Sequence, residues 1–402
     1  MVLYQNLALL AACLLLFSLV SGRIERAWLS GPILLSLAGY VLGPRVLGLL
    51  DLAITAEAIR MLAEAALAVV LFCDAANADL GVVRRVIRLP ERLLLLGLPL
   101  TILLGFGLAA LIFPQLDVLE LALLAAMLAP TDAALGKPVV VNPAVPASIR
   151  ESLNLESGLN DGICVPVIVI LLSFAVGTQI EHTTLRHVLA VVVEEIGIGL
   201  LAGVLITAAA AWLLRRADAQ EWIAEGWTGI PAIAIAASCF TAAQAIGGSG
   251  FIASFTGGLL FSWIAPVRKH ALLRGAEASG ETLGLLVWCL FGAAVLGPLF
   301  TRLTWPVFLY GLLSLTVIRM VPVWLCLIGA GLGTAEKLFI GWFGPRGLAS
   351  IVFAIIVLDE KLPGTDTLME VVACTVLLSI VAHGMTAIPL IRRLASGAPP
   401  AS

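Results

Sequence analysis

The sequence predicts an all-α polytopic membrane protein, because it consists of long apolar runs joined by short polar loops. Of its 402 residues, 61% are hydrophobic and only 12% are charged, and the mean hydropathy is +1.09. Soluble domains carry about 25% charged residues, and an apolar run of about 20 residues is long enough to cross a bilayer as a helix. The loops are too short for a folded soluble domain, so we expect a single membrane domain over residues 1–402.

The order of the apolar runs predicts about thirteen transmembrane helices. The predicted spans are 3–22, 28–43, 53–75, 91–113, 117–142, 148–175, 186–214, 226–246, 249–266, 279–300, 304–330, 336–358 and 367–391. The first run is not a secretory signal, because no Lys or Arg precedes it whereas Arg23 and Arg26 follow it. Basic residues in short loops stay on the cytoplasmic side. We therefore expect an external N-terminus and a short cytoplasmic tail at residues 394–402.

The remaining composition argues against several kinds of partner. The formal net charge is −3 and no long basic tract occurs, so nucleic acid is not an expected partner. The seven cysteines are dispersed singly without a Cys-x-x-Cys pair, which predicts neither a disulfide framework nor a zinc site. We expect no bound cofactor.

One predicted helix carries polar side chains in an otherwise apolar run. Within residues 150–166 they are Glu156, Ser157, Asn160 and Asp161. Helical spacing places all four on one face. A carboxylate at the bilayer centre costs about 2.5–3.5 kcal/mol, so both acids must face a partner, a water-filled cavity or an ion. Carboxylate, amide and hydroxyl oxygens suit a small hard cation that sheds its water, and a structural ion pair between helices is the alternative.

Two spans contain interruptions that a lipid-facing helix does not tolerate. The first, at 128–143, reads LAPTDAALGKPVVVNP, and the second, at 341–347, reads GWFGPRG. Proline removes a backbone donor and clashes with the preceding turn. We therefore expect the first span to break near Pro130, with Thr131 and Asp132 at the break. A simple proline kink is the alternative, since prolines are common in membrane helices.

The positions of these breaks predict internal symmetry. They fall in the fifth and twelfth spans, and each is the fifth of six if spans one to six and eight to thirteen are repeats joined by span seven. Because six is even and one span joins them, the two six-helix repeats would be inverted. Paired broken helices in inverted halves mark the site of a secondary transporter. We therefore expect two broken helices that cross at the bilayer midplane.

Two arginines lie within predicted spans and need negative partners. Glu156 is the expected partner of Arg319, because a guanidinium stays charged and binds a carboxylate bidentately. This pair would keep Glu156 ionised and leave Asp161 free to titrate, and the swapped pair, Arg319 with Asp161, stays open. Arg346 lies in the second break, where its charge would offset the negative ends of half-helices.

The whole chain resembles the NhaP-type sodium/proton antiporters, prokaryotic relatives of the animal sodium/hydrogen exchangers. The motifs that carry the resemblance are Pro130-Thr131-Asp132, Glu156-Ser157-Gly158-Leu159-Asn160-Asp161-Gly162, Gly344-Pro345-Arg346-Gly347 and His383-Gly384. A departure is Ala133, where many relatives continue with proline after the aspartate.

The resemblance implies an architecture and an activity. It implies an NhaA/NhaP-like homodimer in a prokaryotic plasma membrane, which exchanges Na⁺ for H⁺ and serves pH homeostasis. A mobile core would move against a scaffold in an elevator-like cycle. The implied core is 91–175 with 304–391, the implied scaffold and dimerisation region is 1–90 with 226–300, and 186–214 is a linking helix.

The resemblance also implies residue roles. Asp161 resembles the aspartate that binds cation and proton in turn, and Asn160 resembles the asparagine associated with electroneutral exchange. The candidate cation ligands are Asp161, Ser157, Thr131, Asn160 and Glu156. Glu156 with Arg319 resembles the stabilising ion pair of the family, and Asp132 and Arg346 resemble the charges that settle the two helix breaks.

Three other functions remain as alternatives. Potassium/proton antiport on the same fold is the first, since cavity size and ligand field decide between Na⁺, Li⁺ and K⁺. An intramembrane serine protease could use Ser249 in Gly247-Gly248-Ser249-Gly250 with His383 as base, but Gly-Ser-Gly at a span junction is ordinary turn chemistry. A passive cation channel is the third, against which stand the titratable acid and the paired breaks.

Overall fold

A computed structural model describes residues 2–24, 30–50, 56–78, 88–140, 142–179, 185–264 and 269–396. These residues form helices and connecting loops, and none of them lies in a β-strand. The predicted all-α class is therefore confirmed. Arg26, which follows the first predicted span, lies outside the described residues.

The described residues of the first half of the chain form seven helices. They are α1 Val2–Ile24, α2 Gly31–Leu42, α3 Ala56–Asn77, α4, α5 Val118–Met127, α6 Ala133–Val140 and α7 Ala147–Gln179. Helix α4 consists of Arg88–Arg92, a π-helical turn at Leu93–Gly97, and Leu98–Ile112. Such a turn inserts one extra residue into the helical ladder, and sequence patterning missed it.

The described residues of the second half form nine more α-helices, besides a short 3-10 helix at Glu225–Trp227. They are α8 Leu185–Ala219, α9 Ile230–Ala245, α10 Gly250–Ile264, α11, α12 Trp305–Leu315, α13 Val317–Cys326, α14 Thr334–Trp342, α15 Leu348–Asp359 and α16 Thr365–Ser396. Helix α11 consists of Lys269–Phe291, a π-helical turn at Gly292–Leu296, and Gly297–Arg302. It begins about ten residues earlier than the predicted span, because the charged segment before the apolar run is also helical.

Many of these helices can cross a bilayer. Among the described residues, eight helical segments are long and apolar enough to do so, namely those of α1, α4, α7, α8, α9, α11, α12 with α13, and α16. Four shorter apolar helices are α2, α5, α10 and α15. The short helices α5 and α15 each adjoin one of the two interruptions expected from the sequence.

The described residues pack into two compact units. The first unit contains the described residues of Met1–Arg60, Val86–Asn160 and Leu285–Ser402. The second unit contains the described residues of Met61–Arg85 and Asp161–Gly284. This division rests on packing, whereas the core and scaffold expected from the sequence are defined by motion and stay a prediction.

Each unit has its own apolar core. In the first unit, α4, α7, α13, α14 and α16 contribute buried side chains that include Leu93, Ile149, Val323, Phe339 and Ile391. In the second unit, α3, α9, α10 and α11 contribute Phe72, Ala236, Cys239, Phe261 and Leu273.

The start of α5 is fixed by two acidic side chains. Asp117 caps the helix by accepting a hydrogen bond from the backbone N of Leu119 at 3.0 Å, and Glu120 Oε2 accepts from the backbone N of Asp117 at 3.0 Å. The other oxygen of Glu120, Oε1, accepts from the backbone N of Gly364 at 2.6 Å. One buried carboxylate therefore joins α5 to the loop that precedes α16.

Helices α2 and α11 approach until their backbones touch. A Cβ atom on Gly39 would overlap the carbonyl oxygen of Cys289, and a Cβ atom on Gly292 would overlap that of Ser36. Small residues at helix interfaces permit such close packing in membrane proteins. This contact leaves no room for any side chain at either glycine.

We expect Gly39→Ala to destabilise the protein by about 1–3 kcal/mol, because the added methyl group forces the two backbones apart. Gly107→Ala is the matched control, since a Cβ atom on this glycine of α4 meets nothing within 4 Å. Thermal unfolding of the purified proteins in detergent measures both. Equal melting temperatures for the two variants would contradict the close contact.

Candidate functional site

Two interrupted helices meet in the first unit. Between α5 and α6, residues 130–132 carry no helical structure, and between α14 and α15 the same is true of residues 343–347. The backbone N of Asp132 in the first break donates to the carbonyl oxygen of Pro345 in the second at 2.8 Å. The first span is thus broken rather than kinked, and the two breaks contact each other directly.

The carboxylate of Asp132 connects the N-terminal ends of two half-helices. Its Oδ1 accepts from the backbone N of Leu135 in α6 at 3.2 Å, and its Oδ2 accepts from the backbone N of Leu348 in α15 at 2.9 Å. A negative charge is stabilised at a helix N-terminus by the unpaired N–H groups and by the helix dipole. Gly347 makes room for this carboxylate, because a Cβ atom there would overlap Oδ2.

Near the C-terminal ends of the other two half-helices, α5 and α14, backbone carbonyl groups accept hydrogen bonds from side chains. Ser350 Oγ in α15 donates to the carbonyl oxygen of Met127, the last residue of α5, at 2.8 Å. The Nη1 atom of Arg346 donates to the carbonyl oxygen of Gly344, just beyond α14, at 2.8 Å. Arg346 is fully buried, so it places a positive charge beside the negative end of α14.

A bidentate ion pair joins α7 to α13. Arg319 Nη1 lies 2.5 Å from Glu156 Oε1, and Arg319 Nη2 lies 2.7 Å from Glu156 Oε2. Both side chains are only 1% exposed. The guanidinium also lies against Gly344, where a Cβ atom would overlap Arg319 Nε. Both hydrogen bonds therefore go to Glu156, which was the expected partner of Arg319.

A network of hydroxyl and amide groups ties the first break to α7. Asn160 Nδ2 donates to Thr131 Oγ1 at 2.7 Å, Asn160 Oδ1 accepts from the backbone N of Thr131 at 3.3 Å, and Thr131 Oγ1 lies 2.8 Å from Ser157 Oγ. All three residues are buried. Asn160 is therefore held at both ends of its amide, which fixes the turn of α7 that carries it.

Asp161 follows Asn160 on α7 and is 6% exposed. The helical period places it one turn beyond Ser157. A buried acid on the polar face of a membrane helix is the kind of residue from which an ion or proton site is built.

Sequence reasoning missed several residues that hold the breaks. The hydroxyl groups of Ser350 and Ser379, which bond to backbone at the two breaks, were not singled out. Nor were Gly344 and Gly347 assigned the space that they leave for Arg319 and Asp132. The only available signal was a serine in an apolar run close to a break, which many helices show.

The two side chains of the serine-protease alternative, Ser249 and His383, already have structural partners. Ser249 precedes α10, and its Oγ accepts from the backbone N of Ile252 at 3.4 Å, as an N-cap residue does. The Nε2 atom of His383 lies 2.8 Å from the carbonyl oxygen of Trp342. Both contacts are explained by helix ends, and neither needs a catalytic role.

Comparison with known proteins identifies a family. The model of the family described as "Sodium/hydrogen exchanger, transmembrane" matches residues 9–393. A solved structure of the sodium proton antiporter MjNhaP1 from Methanocaldococcus jannaschii superposes with a TM-score of 0.76 at 22% identity, covering 98% of this chain and all of that one. The chain therefore has the fold of that structure.

Curated relatives are similar over part of their length. A Na(+)/H(+) antiporter of Schizosaccharomyces pombe is 26% identical over 310 residues, which cover 70% of this chain and 66% of that protein. The K(+)/H(+) antiporter NhaP2 of Shewanella oneidensis is 25% identical over 272 residues, which cover 67% of this chain and 46% of that protein. The matched region thus spans about two thirds of the first relative and about half of the second.

Removal of one partner of the buried ion pair should destabilise the protein by about 3–5 kcal/mol, because the other charge remains buried and unpaired. We expect Arg319→Ala and Glu156→Ala each to lower the melting temperature in detergent. The double variant Arg319→Met with Glu156→Leu is the control and should recover much of the loss. If both single variants melt like the parent but lose transport, Glu156 belongs to the ion site itself.

Proposed function

The chain belongs to the sodium/hydrogen exchanger family, and from this premise we propose that it is a secondary active antiporter that exchanges a monovalent cation for H⁺. It is a multi-pass integral membrane protein, and the members of its family are transporters rather than enzymes. The observation that carries the proposal is the direct contact of two broken helices beside the polar face of α7. Broken helices of this kind bind ions at the bilayer midplane in secondary transporters.

The site divides its charges between structural and transport roles. Glu156 is neutralised by Arg319, and Asp132 is held by the N-terminal ends of α6 and α15. These two acids keep their partners throughout the cycle in our proposal. Asp161 is then the acid that exchanges its ligand, taking up a cation from one side of the membrane and a proton from the other. Cation and proton compete for the same carboxylate oxygens, which couples their opposite movements.

The candidate ligands other than Asp161 lie on α7 and in the first break. Ser157 lies one helical turn before Asp161, and its hydroxyl is bonded to that of Thr131. We propose Ser157 and the carbonyl oxygen of Thr131 as further ligands. Asn160 positions Thr131 through two hydrogen bonds. We therefore propose that Asn160 supports the ligand Thr131, and Asn160 is also a candidate ligand itself.

Na⁺ is the cation that we propose first, and K⁺ is the second candidate. The relative in S. pombe is named a Na(+)/H(+) antiporter, whereas those in Shewanella are named K(+)/H(+) antiporters. Proton flux in vesicles, driven in turn by gradients of Na⁺, Li⁺ and K⁺, decides between them. Cation flux without any counter-moving proton would instead indicate a channel.

The finer architecture is part of the proposal. We propose thirteen spans in two inverted repeats, an external N-terminus and a cytoplasmic C-terminus in the plasma membrane of a prokaryote. The MjNhaP1-like fold and the position of the two breaks support this topology. We further propose that the protein is a homodimer and serves pH homeostasis. In the proposed mechanism a core moves like an elevator against a scaffold. The core is 91–175 with 304–391, the scaffold is 1–90 with 226–300, and the linker is 186–214.

We expect Asp161→Asn to be folded but inactive at every pH, because the amide keeps the volume of the carboxyl group and loses both its charge and its titration. In the parent, the apparent KM for the cation should rise as the pH falls, since protons occupy Asp161. Exchange in proteoliposomes with a pH-sensitive dye measures both effects.

The matched control for this variant is Asp366→Asn, which removes an exposed acid in the first turn of α16. It should exchange like the parent. A purified, folded Asp161→Asn protein that still exchanged cations for protons at a substantial fraction of the parent rate would overturn the assignment.

We also expect exchange to be electroneutral, because the pair Asn160-Asp161 offers one titrating acid for each cation. A membrane potential imposed on sealed vesicles, without a pH or cation gradient, should then produce no net proton movement that depends on the protein. Protein-dependent proton movement under these conditions would refute one-for-one exchange. Asn160→Asp adds a second acid and is the variant in which such movement is expected.

A further inference from the structure

Helix α16 braces the second break with two side chains that lie one helical turn apart. His383 and Ser379 are 2% and 0% exposed. His383 Nε2 lies 2.8 Å from the carbonyl oxygen of Trp342, the last residue of α14. Ser379 Oγ lies 2.7 Å from the backbone N of Arg346, near the start of α15. The two side chains therefore hold the chain on both sides of Gly344.

The chemistry of these contacts assigns a donor to each bond. A carbonyl oxygen only accepts, so Nε2 of His383 carries a proton and donates to Trp342. A backbone N–H only donates, so Ser379 Oγ accepts from Arg346. Ser379 Oγ also lies 3.2 Å from His383 Nδ1, so the two side chains contact each other as well as the break.

The imidazole of His383 has a further backbone contact, because the carbonyl oxygen of Ser379 lies 2.9 Å from Nδ1. The Trp342 ring packs against the imidazole with 5.1 Å between the ring centroids and holds it in place.

The second break also contacts two charged side chains of the site, those of Arg319 and Asp132. Gly344 lies against the guanidinium of Arg319, and Gly347 lies against the carboxylate of Asp132. Both contacts are too close to absorb a shift of the break without moving these side chains. We propose that His383 and Ser379 are positioning residues, whose contacts with Trp342 and Arg346 fix the second break and thereby the Glu156–Arg319 pair and Asp132. The proposal rests on the proposed function, because transport reports this geometry.

Cation affinity tests the proposal. We expect His383→Ala and Ser379→Ala to raise the apparent KM for Na⁺ about tenfold in proteoliposomes, as expected when a buried hydrogen-bond partner is lost. His383→Gln should stay within about threefold of the parent, because its amide nitrogen can still donate to Trp342. Rates are normalised to folded protein. A purely structural role would lower the melting temperature and yield but leave this KM unchanged.

Thr375→Val is the matched control. Thr375 is also fully buried on α16, one turn before Ser379, but its hydroxyl donates within the helix to the carbonyl oxygen of Val371. The variant should keep the parent KM. Unchanged KM values in Ser379→Ala and His383→Ala, or a rise for His383→Gln as large as that for His383→Ala, would overturn the proposal.

Hydrogen–deuterium exchange provides a readout that needs no transport. The amide of Arg346 should exchange faster in Ser379→Ala than in the parent and in Thr375→Val, because it loses its acceptor. Equal exchange in all three proteins would overturn the brace even if the parent proved not to be an antiporter. Conversely, a parent protein that exchanges none of Na⁺, Li⁺ and K⁺ for H⁺ would refute the proposed function and leave this measurement valid.

Discussion

The broken-helix region depends on the hydrogen bonds that the carboxylate of Asp132 accepts. This carboxylate accepts backbone hydrogen bonds from α6 and from α15, and the backbone N of the same residue donates to Pro345. Inside a membrane no water is available to satisfy a helix end, so the protein must supply the partner. One side chain therefore terminates two half-helices together, and neither break can move far without disturbing the other.

Glu156 and Asp161 lie on the same helix, α7, but we propose different roles for them, structural for Glu156 and in transport for Asp161. Glu156 is neutralised by a guanidinium in bidentate geometry, whereas Asp161 lies farther along the same helix. Removal of Glu156 would leave the guanidinium of Arg319 buried and charged without its partner. Asp161 is the acid of this helix that we propose for exchange, and Asn160 between the two acids bonds to the first break.

The sequence was informative where chemistry is local and uninformative where packing decides. Proline beside a charge predicted the interruptions at Pro130 and Pro345, and the demand of a buried guanidinium for an anion pointed to Glu156. The resemblance to sodium/proton antiporters was confirmed by the family match. The π-helical turns at Leu93–Gly97 in α4 and at Gly292–Leu296 in α11 were missed, because both sequences are typical of ordinary apolar helix. The space that Gly347 leaves for Asp132 depends on residues more than 200 positions apart and has no local signature.

The backbone contact between α2 and α11 also sets the axial alignment of these helices. Advancing α2 by one residue along its own screw, a rise of about 1.5 Å, would bring the side chain of Ala38 or Tyr40 to the place where only the hydrogen of Gly39 fits. The reciprocal contact at Gly292 opposes the same movement from the other side. The close contact therefore fixes the axial register of α2 against α11, because a shift of α2 by one residue is sterically excluded.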